Sequence, residues 1–425
     1  MTIVVFLSSL FGFMLLGMPI AFALMLSGVA LMAHLDFFDA QLLAQNMLSG
    51  ADNFPLIAVP FFLLAGGLMN QGGISRRIVD LAVTLFGHIR GGLGFVAIGA
   101  AVILASLSGS AIADTAAVAT LLIPMMRSNG YNVEKSSGLI ASAGIIAPML
   151  PPSMSFIIFG VTTNVSITKL FMAGIAPGLM MAAVLVATWV WVVRREQMPT
   201  APRRSWAVRG RAFVDAFWAL LLPIIIVGGM RGGVFTPTEA AVVAAVYAFL
   251  ISFFVYRSLT LAMLPAILIA AARTTAVVMF LVAAALVTSY MITLADLPGM
   301  LIELLEPLLD HPKWLMAAIM VVLTLVGTAM DLTPTILILG PVLMPLVTRA
   351  GIDPVYFGVM FVMVGAVGLL TPPVGTVLNV VCGVARVSME GIIKGVWPYV
   401  ITYTILLGIF VIFPELITVP AGWLH

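Results

Sequence analysis

The chain is short of charge. Asp, Glu, Lys and Arg make up 8% of its 425 residues, hydrophobic residues 62%, and the mean hydropathy is +1.21. A soluble domain carries about 25% charged residues, so a water-soluble fold is excluded. The single cysteine, Cys382, rules out an internal disulfide and a cysteine-based zinc site. No GxxxxGK[ST] occurs, so nothing would cradle nucleotide phosphates, which disfavours an ATP-driven pump. No lysine or arginine precedes Arg76. With no charged leader and an apolar run reaching about Leu31, the first segment reads as a retained helix rather than a signal peptide.

Long apolar runs dominate from end to end, many of them long enough to cross a hydrocarbon core of about 30 Å. A barrel would show short alternating segments instead. The fold class is therefore an all-α polytopic membrane protein. Arg194, Arg195, Arg203, Arg204, Arg209 and Arg211 crowd mid-chain. The positive-inside rule assigns that stretch to the cytoplasm. Apolar helices flank it closely on both sides, which argues against a nucleic-acid patch.

The prolines keep a register. Pro151-Pro152 and Pro372-Pro373, the only Pro-Pro pairs, lie 221 residues apart, and the same offset carries Pro124 onto Pro345, Gly130 onto Gly351 and Pro177 onto Pro398. Pro19 falls on Pro237 at 218. Two pseudo-symmetric repeats follow, 1–195 and 212–425, joined by an arginine-rich linker at 196–211. The first is expected to hold a helix at 3–33, an amphipathic stretch at 39–53, a span at 55–70, a polar connector ending at Gly92, and a last span at 170–193. Between connector and last span lie a hairpin at about 93–126 and a broken helix at about 137–164. The second repeats the order: spans at 213–230 and 237–256, an amphipathic stretch at 258–272, a span at 274–294, a hairpin at about 314–348, a broken helix at about 355–384, and a span at 395–413.

Four breaks interrupt these blocks. A broken helix in a membrane frees backbone groups that cannot face lipid, so it must be buried in protein or line a hydrated site. Gly/Pro-interrupted segments at matching positions of two halves point to a carrier's binding site. The first pair of breaks offers Ser106, Ser108, Gly109 and Ser110, with carbonyls around Ala147, Pro148, Pro151 and Pro152. The second offers Gly327, Thr328, Gly368 and Thr371, with carbonyls around Pro372 and Pro373. Hydroxyls and free carbonyls are hard oxygen ligands suited to Na⁺, and half-helix N-termini favour a carboxylate. Proline kinks packed by small residues are the plainer reading of any single break.

Asp114 and Asp331 lie just past the first break of each half, 217 apart. A carboxylate inside a membrane segment points to function, while an N-cap is the structural alternative. Thr333, Thr162, Asn164, Thr376 and Asn379 are candidates to line a substrate pocket or to bridge helices. Arg273 reads as an interfacial, snorkelling side chain and Glu239 as a first-turn residue behind Pro237.

Together SLSGSAIADTAAV, IIAPMLPPS, KLFMAGIAPG, FTPTEAA and GLLTPPVG resemble the large, DctM-type membrane subunit of tripartite ATP-independent periplasmic (TRAP) transporters. The resemblance spans essentially the whole chain. It implies an ion-transporter-superfamily fold and an elevator mechanism in the bacterial inner membrane, with Na⁺ as the coupling ion and no other cofactor. It also implies a periplasmic substrate-binding protein that delivers a carboxylate-bearing organic acid, and a small membrane subunit. Because the sequence opens directly on large-subunit motifs, that small subunit is expected as a separate chain. The family's ion positions carry over to the breaks above, less completely where Gly327-Thr328 replaces Ser-Gly-Ser. The first half is closest in wording to carriers of sugar acids such as diketogulonate, and dicarboxylate and sialic acid carriers share most of the motifs. A passive channel would use similar breaks without sodium dependence. An intramembrane aspartyl protease would use two aspartates, but its GxGD signature is missing, since Gly92-Leu93-Gly94 runs into Phe95.

Overall fold

A computed structural model describes residues 2–194, 203–372 and 374–424. Among them there is no strand, and nine helices are long and apolar enough to cross a bilayer. A tenth results if the bent pair Val133–Met149 and Met154–Thr163, inclined at 43°, counts as one span.

The first half comprises α1 (Thr2–Leu15), α2 (Ile20–His34), α3 (Ala40–Ala51), α4 (Ala58–Gln71), α5 (Ile74–Phe86), α6 (Gly92–Ser108), α7 (Ala111–Ser128), α8 (Val133–Gly144), α9 (Met154–Thr163) and α10 (Ile167–Arg194). The second comprises α11 (Trp206–Arg231), α12 (Pro237–Leu250), α13 (Leu264–Leu294), α14 (Leu297–Leu304), α15 (Glu306–Leu309), α16 (Pro312–Ala329), α17 (Leu332–Arg349), α18 (Pro354–Gly368), α19 (Thr376–Ala385), α20 (Met389–Ile412) and α21 (Glu415–Leu424). Local chemistry sets many of the starts. Asp39, Ser110, Asn132, Ser153, Ser205, Asp353 and Ser388 each accept a backbone N–H as N-cap. Thr236 and Glu239 close a capping box behind Pro237, which fixes the first-turn role expected for Glu239.

Four expectations are corrected. The helix at 3–33 is two helices packed side by side, because Gly17 takes φ +82° and Pro19 cannot continue the ladder. The polar connector contains α5, whose apolar face buries Ile74, Ile78, Val79 and Leu81. The amphipathic stretch at 258–272 and the span at 274–294 merge into the 31-residue α13, since no Gly or Pro interrupts it after Pro265. Part of the linker at 196–211 is helical, for α11 begins at Trp206 and holds Arg209 and Arg211; Arg195 lies outside the described residues.

The helices pair in two groups. One consists of α4 against α12, α2 and α3 against α13, and α5 against α11, with the Thr288 hydroxyl donating to the Leu24 carbonyl at 2.6 Å. The other is built from two hairpins and two broken helices. The α6–α7 hairpin closes at its base, where the Leu93 N–H reaches the Tyr131 hydroxyl at 3.4 Å. Its second arm, α7, packs on α19; the corresponding arm α17 of the α16–α17 hairpin packs on α9. Phe159 of α9 meets Phe357 and Phe361 of α18 at ring-centre distances of 6.0 and 5.5 Å, so the two broken helices share one aromatic core. The last helices of the halves, α10 and α20, also pack together, with Thr188 donating to Thr402 at 3.1 Å.

Candidate functional site

Each hairpin tip meets the break of the broken helix that follows it. At the first tip α6 ends at Ser108, Gly109 turns the chain at φ +62°, and Ser110 caps α7 through the Ala113 N–H. The Ser108 hydroxyl donates to Asp114 Oδ1 at 2.5 Å and accepts the Ser110 N–H at 3.2 Å. Gly109 lies directly on the Pro152 carbonyl and Ser153, so close that any Cβ would overlap that oxygen. Across this contact Ala147–Met149 form a 3₁₀ turn, the Pro151–Pro152 bond is cis, and Ser153 caps α9 while donating to the Pro148 carbonyl at 2.6 Å. The N-termini of α7 and α9 therefore converge, each presenting a positive dipole end. Ser106 stands back from the tip, its hydroxyl given to Ile103 at 2.6 Å.

The second tip has the corresponding place in the fold but another turn, since Met330 takes φ −122° where Gly109 takes +62°, and different chemistry. Gly327 faces Gly368 backbone to backbone; a Cβ on Gly368 would stand 2.8 Å from the Gly327 Cα. The Val374 N–H donates to the Thr328 carbonyl at 3.3 Å, which ties the tip to the break. Thr328 and Thr371 turn their hydroxyls to Leu325 and Val367, at 2.7 and 3.0 Å. Asp331 occupies the N-cap position of α17 without a capping hydrogen bond from its side chain. Pro372 lies in the break, and Pro373 lies outside the described residues.

The aspartates are not counterparts. At the 221 offset that aligns Ala111 with Leu332 as helix starts, Asp331 matches Ser110, and Asp114 matches Thr335. Asp114 is buried one turn into α7, and its Oδ2 has no hydrogen-bond partner. Asp331 and Thr333 are half-buried at the start of α17.

Of the pocket candidates, Thr162 donates within α9 to Ile158 at 2.8 Å, as its neighbour Thr163 does to Phe159 at 2.6 Å, and both face Gly340 of α17. Asn164 ends α9 in the left-handed region, φ +57°. Asn379 holds the Val374 carbonyl at 2.9 Å, and the Thr376 hydroxyl is buried without a partner. Sequence reasoning missed Ser153 and Thr115. Ser153 was legible as a cap residue between Pro-Pro and an apolar run. Thr115, buried and unpartnered against Gly144, carries no local signal.

Beside the first tip lies a cavity of about 380 Å³, lined by Gly66, Asn70, Ser75, Ser108, Ser110 and Asp114. It shares Asn70, Ser75, Ala113 and Ala117 with a larger cleft of about 1190 Å³ walled by Arg76, Arg77, Asp80, Asp215 and Tyr256. Arg77 stacks over Tyr256 at 3.8 Å, and Arg209 reaches His88 at 3.4 Å, so the cleft opens at the end where the arginine-rich stretch begins α11. Among the described residues, no group of three or more His, Cys, Asp or Glu side chains could hold a metal ion.

Comparison with known proteins adds a family. The family described as "Tripartite ATP-independent periplasmic transporter, DctM component" matches residues 7–416. The chain is similar to the 2,3-diketo-L-gulonate TRAP transporter large permease protein YiaN of Escherichia coli, 55% identical over all of both chains. It is also similar to the sialic acid TRAP transporter large permease protein SiaM of Vibrio cholerae, 38% identical over 95% of each. Among solved structures, that of the Alcanivorax borkumensis YdaH transporter shares the fold with a TM-score of 0.63, covering 88% of both chains at 16% identity.

Proposed function

Because the chain belongs to the DctM-component family of tripartite ATP-independent periplasmic transporters, we propose that it carries an organic acid across the bacterial inner membrane by sodium-coupled secondary transport. It is a permease and not an enzyme, and it works with a small membrane subunit and a periplasmic binding protein. The observation that carries the sodium reading is the doubled tip-on-break contact, Gly109 on Pro152 and Gly327 on Gly368. Each contact brings hydroxyls, carbonyls near proline and a helix N-terminus close together. Such oxygens can replace water around Na⁺, and the N-termini suit the substrate carboxylate. Ser108, Ser110, Thr371 and the carbonyls beside Pro151, Pro152 and Pro372 are the sodium candidates; Asp331, Thr333 and Asn379 are the substrate candidates.

The two halves, 1–195 and 212–425, act in this reading as repeats, with the hairpins and broken helices sliding as one body against the α2, α4, α5 and α11–α13 frame. The open cleft at the arginine-rich end supports an inward-facing arrangement. The named substrates of the relatives support a sugar acid or related carboxylate as cargo. Uptake by the chain and its partners in proteoliposomes tests the proposal, with Na⁺ replaced by K⁺ or choline. Uptake is expected to stop without Na⁺ and to need no ATP; undiminished uptake in choline defeats the sodium claim and favours a channel.

A further inference from the structure

Outside the transport site, α10 and α20 enclose a groove of about 570 Å³ on the membrane-facing surface, lined by Thr188, Trp191, Lys394, Trp397, Pro398 and Ile401. We propose that it binds one anionic phospholipid, with the headgroup phosphate at Lys394 and an acyl chain along Ile401. Four features of the groove argue for that occupant.

First, the groove has two indoles, Trp191 and Trp397, exposed by 49% and 47%, and tryptophan gathers where acyl chains meet headgroups. Second, its mouth is cationic. Exposed Arg194 ends α10 three residues beyond Trp191, and Lys394 precedes Trp397 by three on α20. Both lie at the end of the molecule that carries Arg76, Arg77, Arg209 and Arg211, since the neighbouring Trp189 indole donates to Gly91 at the base of the first hairpin. Basic residues at a membrane surface attract anionic lipid. Third, Lys394 is available. Its partner is Glu390 at 2.8 Å, but the two side chains are 72% and 80% exposed, and exposed i,i+4 pairs are weak enough to yield to a phosphate. Fourth, Pro398 has no N–H, so the Lys394 carbonyl loses its helical donor and is left to accept from a headgroup hydroxyl. The floor is apolar apart from Thr188, which donates to Thr402 at 3.1 Å, and Thr402, which donates to the Pro398 carbonyl, so a hydrocarbon chain strands no hydroxyl there.

Such a lipid would seal the seam between the last helices of the two halves. Native mass spectrometry of the complex with its partner subunits tests this, using phosphatidylglycerol and phosphatidylcholine as probes. The wild-type complex is expected to retain phosphatidylglycerol at least fivefold over phosphatidylcholine. Lys394→Gln should abolish that preference and Lys394→Arg should keep it. Ile401→Trp, which fills the groove without touching charge, should expel the lipid altogether. Equal retention of the two lipids by the wild type overturns the proposal without reliance on any variant. So does unchanged phosphatidylglycerol retention by Lys394→Gln, or a photo-crosslinker at Trp397 that captures the small membrane subunit instead of lipid.

Discussion

The two hairpin tips hold corresponding places in the fold and differ in nearly everything else. The first is a Ser-Gly-Ser turn beside a cavity of mixed lining, with Asn70, Ser75 and Asp114 set among Phe62, Leu104 and Leu107, that runs into the arginine-walled cleft. The second is a glycine-on-glycine contact, and the space beside it is an apolar cavity of about 370 Å³ lined by Phe6, Leu10, Leu301, Leu305, Ile319 and Met330. One tip faces partly polar space and the other an almost wholly apolar one. The carboxylates follow the same asymmetry. Asp114 is buried with a serine partner behind its tip, whereas Asp331 stands at its own tip with a side chain not spent on capping. Two hairpins in corresponding places can thus end on similar helix starts while each carries a different share of the chemistry.

Substitutions can break or sharpen that contrast. The largest effect is expected from Gly109→Val. It forces a β-branched residue to φ +62° and drives Cβ into the Pro152 carbonyl, two faults of about 1–3 kcal/mol each. The complex should lose both thermal stability and uptake. Gly368→Ala, whose Cβ meets the Gly327 Cα at 2.8 Å, should lower the melting temperature less, because its φ is ordinary. If the two variants melt alike, the tips are mechanically equivalent and the contrast fails.

Next is Asp331→Asn. Asparagine fits an N-cap position as well as aspartate, so stability should hold to within a few tenths of a kcal/mol. Uptake should collapse if the charge serves sodium or substrate. Near-normal uptake removes Asp331 from the site.

The smallest effects separate the hydroxyls. Ser108→Ala strips Asp114 of its partner and leaves a buried carboxylate wholly unpaired, a cost of about 1–3 kcal/mol. Thr371→Ala removes a hydroxyl bonded back to the Val367 carbonyl of α18, about 1 kcal/mol. If both hydroxyls also serve Na⁺, its apparent affinity should fall about tenfold in each variant, equivalent to about 1.4 kcal/mol. An unchanged Na⁺ dependence in both would return them to packing and capping roles.

Much of this arrangement was legible in the sequence. Glycine and proline placed two of the four breaks where the helices stop, at Ser108 and Ala329; in the broken helices α8 ends at Gly144 and α18 at Gly368, a few residues ahead of the Pro-Pro pairs expected to interrupt them. What escaped was hidden from hydropathy. Leu16-Gly17-Met18-Pro19 divides α1 from α2 without lowering the apolar average, so the interruption reads as continuous membrane helix. The α5 helix looked like a connector because four of its residues are Arg76, Arg77, Asp80 and Thr84 on one exposed or half-exposed side. Pairing the aspartates by proximity to a break put them in a false register; only the helix starts show that Ser110, not Asp114, corresponds to Asp331. Which arm packs on which broken helix is a tertiary fact, and no local pattern encodes it.

That exchange, α7 on α19 and α17 on α9, has a consequence for how the protein is made. When α7 leaves the ribosome, its packing partner is still some 250 codons away, since α7 ends at Ser128 and α19 at Ala385. At about 5–20 residues per second the wait is on the order of ten to fifty seconds. Throughout it, the face of α7 that later meets α19 sits in or beside the bilayer without that partner. Nascent first halves should accordingly linger with the insertion machinery, and a chain stopped before α19 should be a substrate for quality-control proteases.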